Sequence, residues 1–100
     1  MNSVKNPFEL ITQDKELATV LSIKSKLTML ITQIIRTNEW TQKYVANKLG
    51  ITQPRVSNLM RGQLNKFTID MLISISMRLG AEATEDFQDR GVLTFELKVV

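Results

Sequence analysis

Residues 40–62 read W-T-Q-K-Y-V-A-N-K-L-G-I-T-Q-P-R-V-S-N-L-M-R-G, and they decide the fold because their start and stop signals define two short helices joined by a tight turn. Thr41 is placed to cap the first helix, its hydroxyl accepting from the amides left free in the next turn. Gly50 ends that helix as the residue type that takes a left-handed C-cap. The turn is then Gly50-Ile51-Thr52, and Thr52 repeats the capping role for a second helix. Pro54 sits in the first turn of that second helix, where a missing N–H does no harm, and Gly62 stops it. Val45, Ala46 and Leu49 share one face of the first helix, Val56, Leu59 and Met60 share one face of the second, and Ile51 bridges the turn. The small side chain of Ala46 lets the two backbones approach, so the faces pack at a steep angle.

Upstream, Leu17, Val20, Leu21, Leu27, Leu30, Ile31, Ile34 and Ile35 recur at spacings of three and four, which predicts a helix over Asp14–Thr37. Asp14 serves as its cap, Glu16 stands in its first turn, a break is allowed at residues 22–25, and Asn38 ends it. Residues 1–13 read as a flexible N-terminal arm in which Phe8, Leu10 and Ile11 make a few apolar contacts or meet a partner. Trp40, between this helix and the capped pair, reads as a core or hinge-packing residue. Downstream, residues 63–66 form a loop. Thr68 caps a further helix running to Leu79, with Asp70 near its positive end, Gly80 as its stop, and Ile69, Leu72, Ile73, Ile75, Met77 and Leu79 as its apolar face. The period then changes from helical to alternating. Leu93, Phe95, Leu97 and Val99 interleave with Thr94, Glu96 and Lys98, after the turn signal Asp89-Arg90-Gly91, which predicts a half-buried strand with residues 81–87 as its hairpin partner.

A chain of 100 residues with 43% hydrophobic composition builds one modest core, so self-association is expected to complete its stability. There is no cysteine and no histidine. Disulfides, thiolate metal sites and the usual general base are therefore excluded, and the composition suits a reducing cytoplasm. The longest apolar runs fall short of a membrane span and the N-terminus lacks a signal-peptide layout, so the expectation is a soluble intracellular protein with no membrane partner. The net charge is +3, but between Glu39 and Asp70 there is no carboxylate, while Lys43, Lys48, Arg55, Arg61 and Lys66 all lie there. That stretch alone is +5, leaving −2 for the remainder. A basic block of this kind is what neutralising nucleic-acid phosphates requires.

The pattern T-Q-x-x-V-A-x-x-L-G-I-T-Q-P-R-V-S-N-L-x-R-G over residues 41–62 resembles the helix-turn-helix of the phage repressor/Cro (Xre) superfamily, and in particular its small HigA-type antitoxin members. The resemblance extends over residues 14–80 and implies a repressor-like helical bundle; with the alternating C-terminal segment the expected fold is mainly α, four to five helices with a short C-terminal β-strand or hairpin. The domain plan is then an arm over residues 1–13, a DNA-binding domain over 14–80 and a β extension over 81–100, whose open hairpin edge makes it a candidate dimerisation element. In the superfamily the second helix of the pair enters the major groove. Carried over by position, that makes Gln53, Pro54, Arg55, Ser57 and Asn58 the base-reading set. Gln42, Lys43, Thr52, Arg61 and Lys66 become phosphate contacts. The chemistry suits these roles. Gln53 and Asn58 can pair with adenine N6/N7, Arg55 with guanine O6/N7, and Pro54 can touch a thymine methyl. Pro54 stands where many repressors carry a polar residue, so discrimination would lean on Arg55 and Asn58.

An enzyme is not expected, and neither a cofactor nor a metal is expected. The carboxylates Glu82, Glu85, Asp86 and Asp89 lack the spacing and turn glycine of a calcium loop. The resemblance implies a homodimer on double-stranded DNA with a pseudo-palindromic operator, repression of its own operon, and a RelE-like toxin as protein partner. Two alternatives stay open: a phage-type repressor or Cro-like switch without a toxin, and an interaction adaptor that has lost base reading.

Overall fold

The computed structural model describes residues 7–100, with side chains from Asp14 onward. Helix α1 spans Pro7–Thr37, α2 Gln42–Leu49, α3 Gln53–Met60 and α4 Ile69–Arg78, with one 3-10 turn over Leu64–Lys66. Strands β1 (Glu82–Gln88) and β2 (Val92–Lys98) then form an antiparallel hairpin. The chain is thus mainly α with a C-terminal hairpin, as its periodicity predicts.

Helix α1 starts earlier than expected. It begins at Pro7 instead of Asp14 and runs without a break through residues 22–25, so part of the expected arm is helical. A proline is suited to a first helical turn because its φ is already fixed and its missing N–H has no partner to lose. Residues 1–6 lie outside the described residues, and so do the side chains up to Gln13, including the contacts expected of Phe8, Leu10 and Ile11. Nothing interrupts the helix at Ser22 and Ser25 because both are exposed, while Thr28, one turn further on, ties its hydroxyl to the Lys24 carbonyl at 2.9 Å.

Within Asp14–Thr37 an 18-residue window reaches a mean hydropathy of 1.2, enough by length and composition for a membrane crossing, which the apolar run lengths did not suggest. Its apolar residues are the stripe of an amphipathic helix. Leu27, Ile31, Ile34 and Ile35 from its C-terminal half enter the core beside Val45, Ala46, Leu49, Val56, Leu59, Phe67, Leu72, Leu79 and Ala81. At its end, Glu39 takes a left-handed φ of 54° and the Trp40 N–H donates to the Ile35 carbonyl at 3.1 Å. Glutamate is costly in that conformation, by roughly 1 to 2 kcal/mol relative to a right-handed one.

The capped pair forms as read. The Thr41 hydroxyl accepts from the Tyr44 N–H at 3.0 Å, and Gly50, with φ 70°, closes α2 while the Ile51 N–H donates to the Ala46 carbonyl at 3.0 Å. The Thr52 hydroxyl accepts from the Arg55 N–H at 3.3 Å, and Pro54 occupies the first turn of α3. Helix α3 closes through Gln63 N–H to the Asn58 carbonyl at 3.0 Å and Gly62 N–H to Leu59 at 3.1 Å, the paired bonds that satisfy a helix's last carbonyls. Thr68 caps α4 by accepting from the Met71 N–H at 3.3 Å, and its own N–H donates to the Met71 Sδ.

The apolar face of α4 differs from its sequence reading in one respect: Met77 is half exposed, and fully buried Ser76 takes its place in the core. The hydroxyl of Ser76 donates to the Leu72 carbonyl at 2.8 Å, so the buried oxygen is satisfied inside its own helix. Arg78, in the last turn of α4, donates to the Leu49 carbonyl at 3.3 Å and pins α4 to the end of α2.

In the hairpin, Ala83 pairs with Leu97, Glu85 with Phe95 and Phe87 with Leu93, and Asp89-Arg90-Gly91 makes the connection. Gly91 has φ 82° and its N–H donates to the Gln88 carbonyl at 2.9 Å, the left-handed last position of a three-residue hairpin loop. The expected half-burial of β2 is not reached within one chain, where only Leu97 is partly covered.

Candidate nucleic-acid interface

Neither α2 nor α3 carries an acidic residue in its first turn. The free amides and positive dipole end of each helix are therefore offset by no carboxylate of its own, and both remain available to an anion. Gln42 and Lys43 lie exposed at the start of α2, and Thr52, Gln53 and Pro54 lie exposed at the start of α3. The buried residues of α3 are Val56 and Leu59, so the helix is held by one stripe while its N-terminal residues project.

The two residues expected to dominate base reading are both positioned by neighbours. Arg55 is half-buried, with its guanidinium carbon 4.6 Å from the centre of the Phe67 ring. Phe67 is itself in the core at 3% exposure, so the cation rests on a fixed aromatic face, worth about 0.5 to 1 kcal/mol where partly exposed. A planar guanidinium stacked in this way loses less freedom when it pairs bidentately with a base.

Asn58 is also half-buried, and its side-chain carbonyl accepts from Arg61 Nη2 at 2.9 Å. The expected base reader and the expected phosphate ligand are therefore joined. Oδ1 keeps one free lone pair for a base, and the guanidinium of Arg61 keeps further N–H groups for a phosphate. Ser57, between Arg55 and Asn58 in sequence, is half-buried, and Lys66 stands exposed on the 3-10 turn.

One more basic residue of the block is held by a neighbour. The Lys48 ammonium lies 5.6 Å from the centre of the Trp40 ring, and Trp40 in turn stacks at a 42° tilt on Tyr44 with 5.2 Å between centroids. Trp40 packs against the core, as a hinge residue would. Outside the block, Lys24 of α1 donates to the Leu64 carbonyl at 3.3 Å and so braces the turn that carries Lys66. A groove lined by Arg36 and Arg61 runs between α1 and the end of α3.

Sequence reasoning did not single out Phe67, Lys24 or Arg36. Phe67 follows a loop and joins Arg55 only through the folded turn, so no local spacing signals it. The carboxylates Glu82, Glu85, Asp86 and Asp89 are not gathered into one site. Strand alternation sends Glu85 and Asp86 to opposite faces, and Asp89 lies in the loop. Asp70 has its carboxyl held below the usual range by a hydrogen bond with the Thr68 side chain, and it lies at the start of α4.

A protein-family profile described as a helix-turn-helix domain matches residues 11–85. No curated protein and no solved structure matches the chain.

Proposed function

The chain belongs to the helix-turn-helix domain family, and from that premise we propose that this DNA-binding regulator is a sequence-specific repressor of the Xre type, acting as a dimer and serving as the antitoxin of a toxin–antitoxin pair. It works by binding and not by catalysis. Helix α3 enters the major groove, Gln53, Arg55 and Asn58 pair with base edges, Ser57 assists, and Pro54 meets a thymine methyl. Gln42, Lys43, Thr52, Arg61 and Lys66 hold phosphates on either side and set the register of the helix in the groove. The observation that carries this reading is Arg55 seated on the buried Phe67 ring, on a helix whose first turn holds no acid and whose surrounding stretch is entirely cationic.

The antitoxin role and the RelE-like toxin rest on the likeness of residues 41–62 to antitoxin-type repressors, and the cytoplasm is the compartment where such a regulator meets its operator. The test is selection. The full chain is incubated with a random double-stranded DNA library at moderate salt, and bound molecules are recovered over several rounds and sequenced. Enrichment of a two-fold symmetric site with half-sites about 10 base pairs apart is the expected result. Binding without enrichment, or none at low salt, would put an adaptor role in place of base reading.

A further inference from the structure

The register of the hairpin sorts its side chains by chemistry. Ala83, Phe87, Leu93, Phe95 and Leu97 share one face with a single charged residue, Glu85, while Glu82, Thr84, Asp86, Gln88, Thr94, Glu96 and Lys98 occupy the other with one apolar residue, Val92. Phe87 is 67% exposed, Leu93 70% and Phe95 50%. Among the described residues, only Ala81 and Leu97 tie this segment to the core. A two-stranded hairpin is marginal in water by itself, and its outer edges present unpaired backbone groups.

Between the apolar face and the bundle runs an open groove of about 790 Å³. Ile23 and Leu30 of α1 and Ile73 of α4 form one wall, Leu93 and Phe95 of β2 the other, and Lys26 is the one charged side chain along it among the described residues. The groove therefore carries one cation in an apolar lining, and the hairpin face carries one carboxylate in an apolar surface. Nucleic acid does not suit this region, since residues 82–98 hold five carboxylates against Arg90 and Lys98.

We propose that a second copy of this chain occupies the groove. The hairpin of each copy lays its apolar face over α1 and α4 of the other, and Glu85 of each copy meets Lys26 of its partner. A two-fold axis then makes the contact twice and closes the assembly at a dimer. This rests on the dimeric repressor proposed above and supplies its interface.

The experiment uses the full chain and a charge exchange between copies. Sedimentation equilibrium should give a dimer for the wild type and a monomer for Phe95→Glu. Lys26→Glu alone and Glu85→Lys alone should each weaken self-association by about tenfold or more, because each sets like charges together twice. Mixing Lys26→Glu with Glu85→Lys should restore a dimer containing one of each, since both encounters are then between opposite charges. An ion pair within one chain would give no such rescue, and the rescue itself shows that both variants fold.

A wild-type dimer untouched by all three substitutions would overturn the proposal by placing the interface elsewhere, with DNA reading intact. A wild type that stays monomeric at every concentration would overturn both the interface and the dimer, and binding to a single half-site would then judge base reading separately. Failure of the wild-type dimer to bind DNA would remove the functional reading and leave the interface standing.

Discussion

The capped helix pair and the C-terminal hairpin are equally regular, yet one is finished within the chain and the other is not. In the pair, every signal has a local partner: Thr41 and Thr52 close their own helices, Gly50 makes the turn, and Val45, Val56 and Leu59 are buried to 1% exposure or less. In the hairpin, the backbone bonds are made but Phe87, Leu93 and Phe95 remain largely open. The difference teaches that backbone pattern and burial are separate achievements. Short-range hydrogen bonds set the first, while the second depends on what else is within reach.

The same contrast runs inside α1, where Leu17, Val20 and Leu21 repeat the spacing of Ile31, Ile34 and Ile35 but stay exposed, since none of them joins the core cluster among the described residues.

The largest effect that could break this comparison is a core truncation. Ile31→Ala in the bundle should cost about 2 to 5 kcal/mol, a large part of the margin of a domain this size, and thermal unfolding should show it directly. Leu93→Ala in the hairpin should leave the melting of a dilute sample almost unchanged and alter only its concentration dependence. Equal losses would mean that the hairpin is already part of the monomer's core.

On the binding side, Arg55→Ala should weaken operator affinity by about 1 to 3 kcal/mol and relax preference at one base position in each half-site. Lys43→Ala should weaken binding to all sequences alike and reduce the salt slope by about one unit. Fluorescence anisotropy across a salt series separates the two, and identical profiles would refute the division between reading and anchoring.

Two left-handed positions give a smaller pair of effects with opposite signs. Gly50→Ala should destabilise by about 1 kcal/mol through backbone strain, since open space surrounds that position. Glu39→Gly should stabilise by a similar or smaller amount, because glycine relieves the strain at φ 54° but loses chain entropy. Denaturant titration of both variants checks the signs.

The smallest effect concerns pH. The Asp70 carboxyl is held low by its bond with Thr68, so its contribution to stability is present above the ordinary value of 3.8 and is lost as pH falls through the lower folded-state value. Asp70→Asn should remove that part of the acid limb and leave neutral-pH melting nearly unchanged. An acid limb identical to that of the wild type would remove Asp70 from the account.

The sequence made the capped pair legible residue by residue, and the cap and bounds of α4 as well, because caps, turn glycines and apolar spacing act within one or two helical turns. The hairpin and its loop could be read for the same reason, from the alternation of Leu93, Phe95 and Leu97 and the Asp89-Arg90-Gly91 turn. What could not be read depends on contacts between distant positions. Phe67 under Arg55, Arg78 on the Leu49 carbonyl and Lys24 on Leu64 join residues from different elements. The start of α1 at Pro7 was hidden because Asp14 resembles a cap, although the helix passes through it. Ser76 was missed because a hydroxyl bonded to its own helix buries as readily as a small apolar group.

The most direct measurement takes the site recovered by selection and replaces each base pair in turn, then compares wild type and Arg55→Ala on the whole panel at one salt concentration. If α3 reads bases from a guanidinium held on Phe67, Arg55→Ala should lose discrimination at one position in each half-site and keep it elsewhere. Full wild-type discrimination at every position, with only a uniform loss of affinity, would contradict that account and make Arg55 a phosphate anchor.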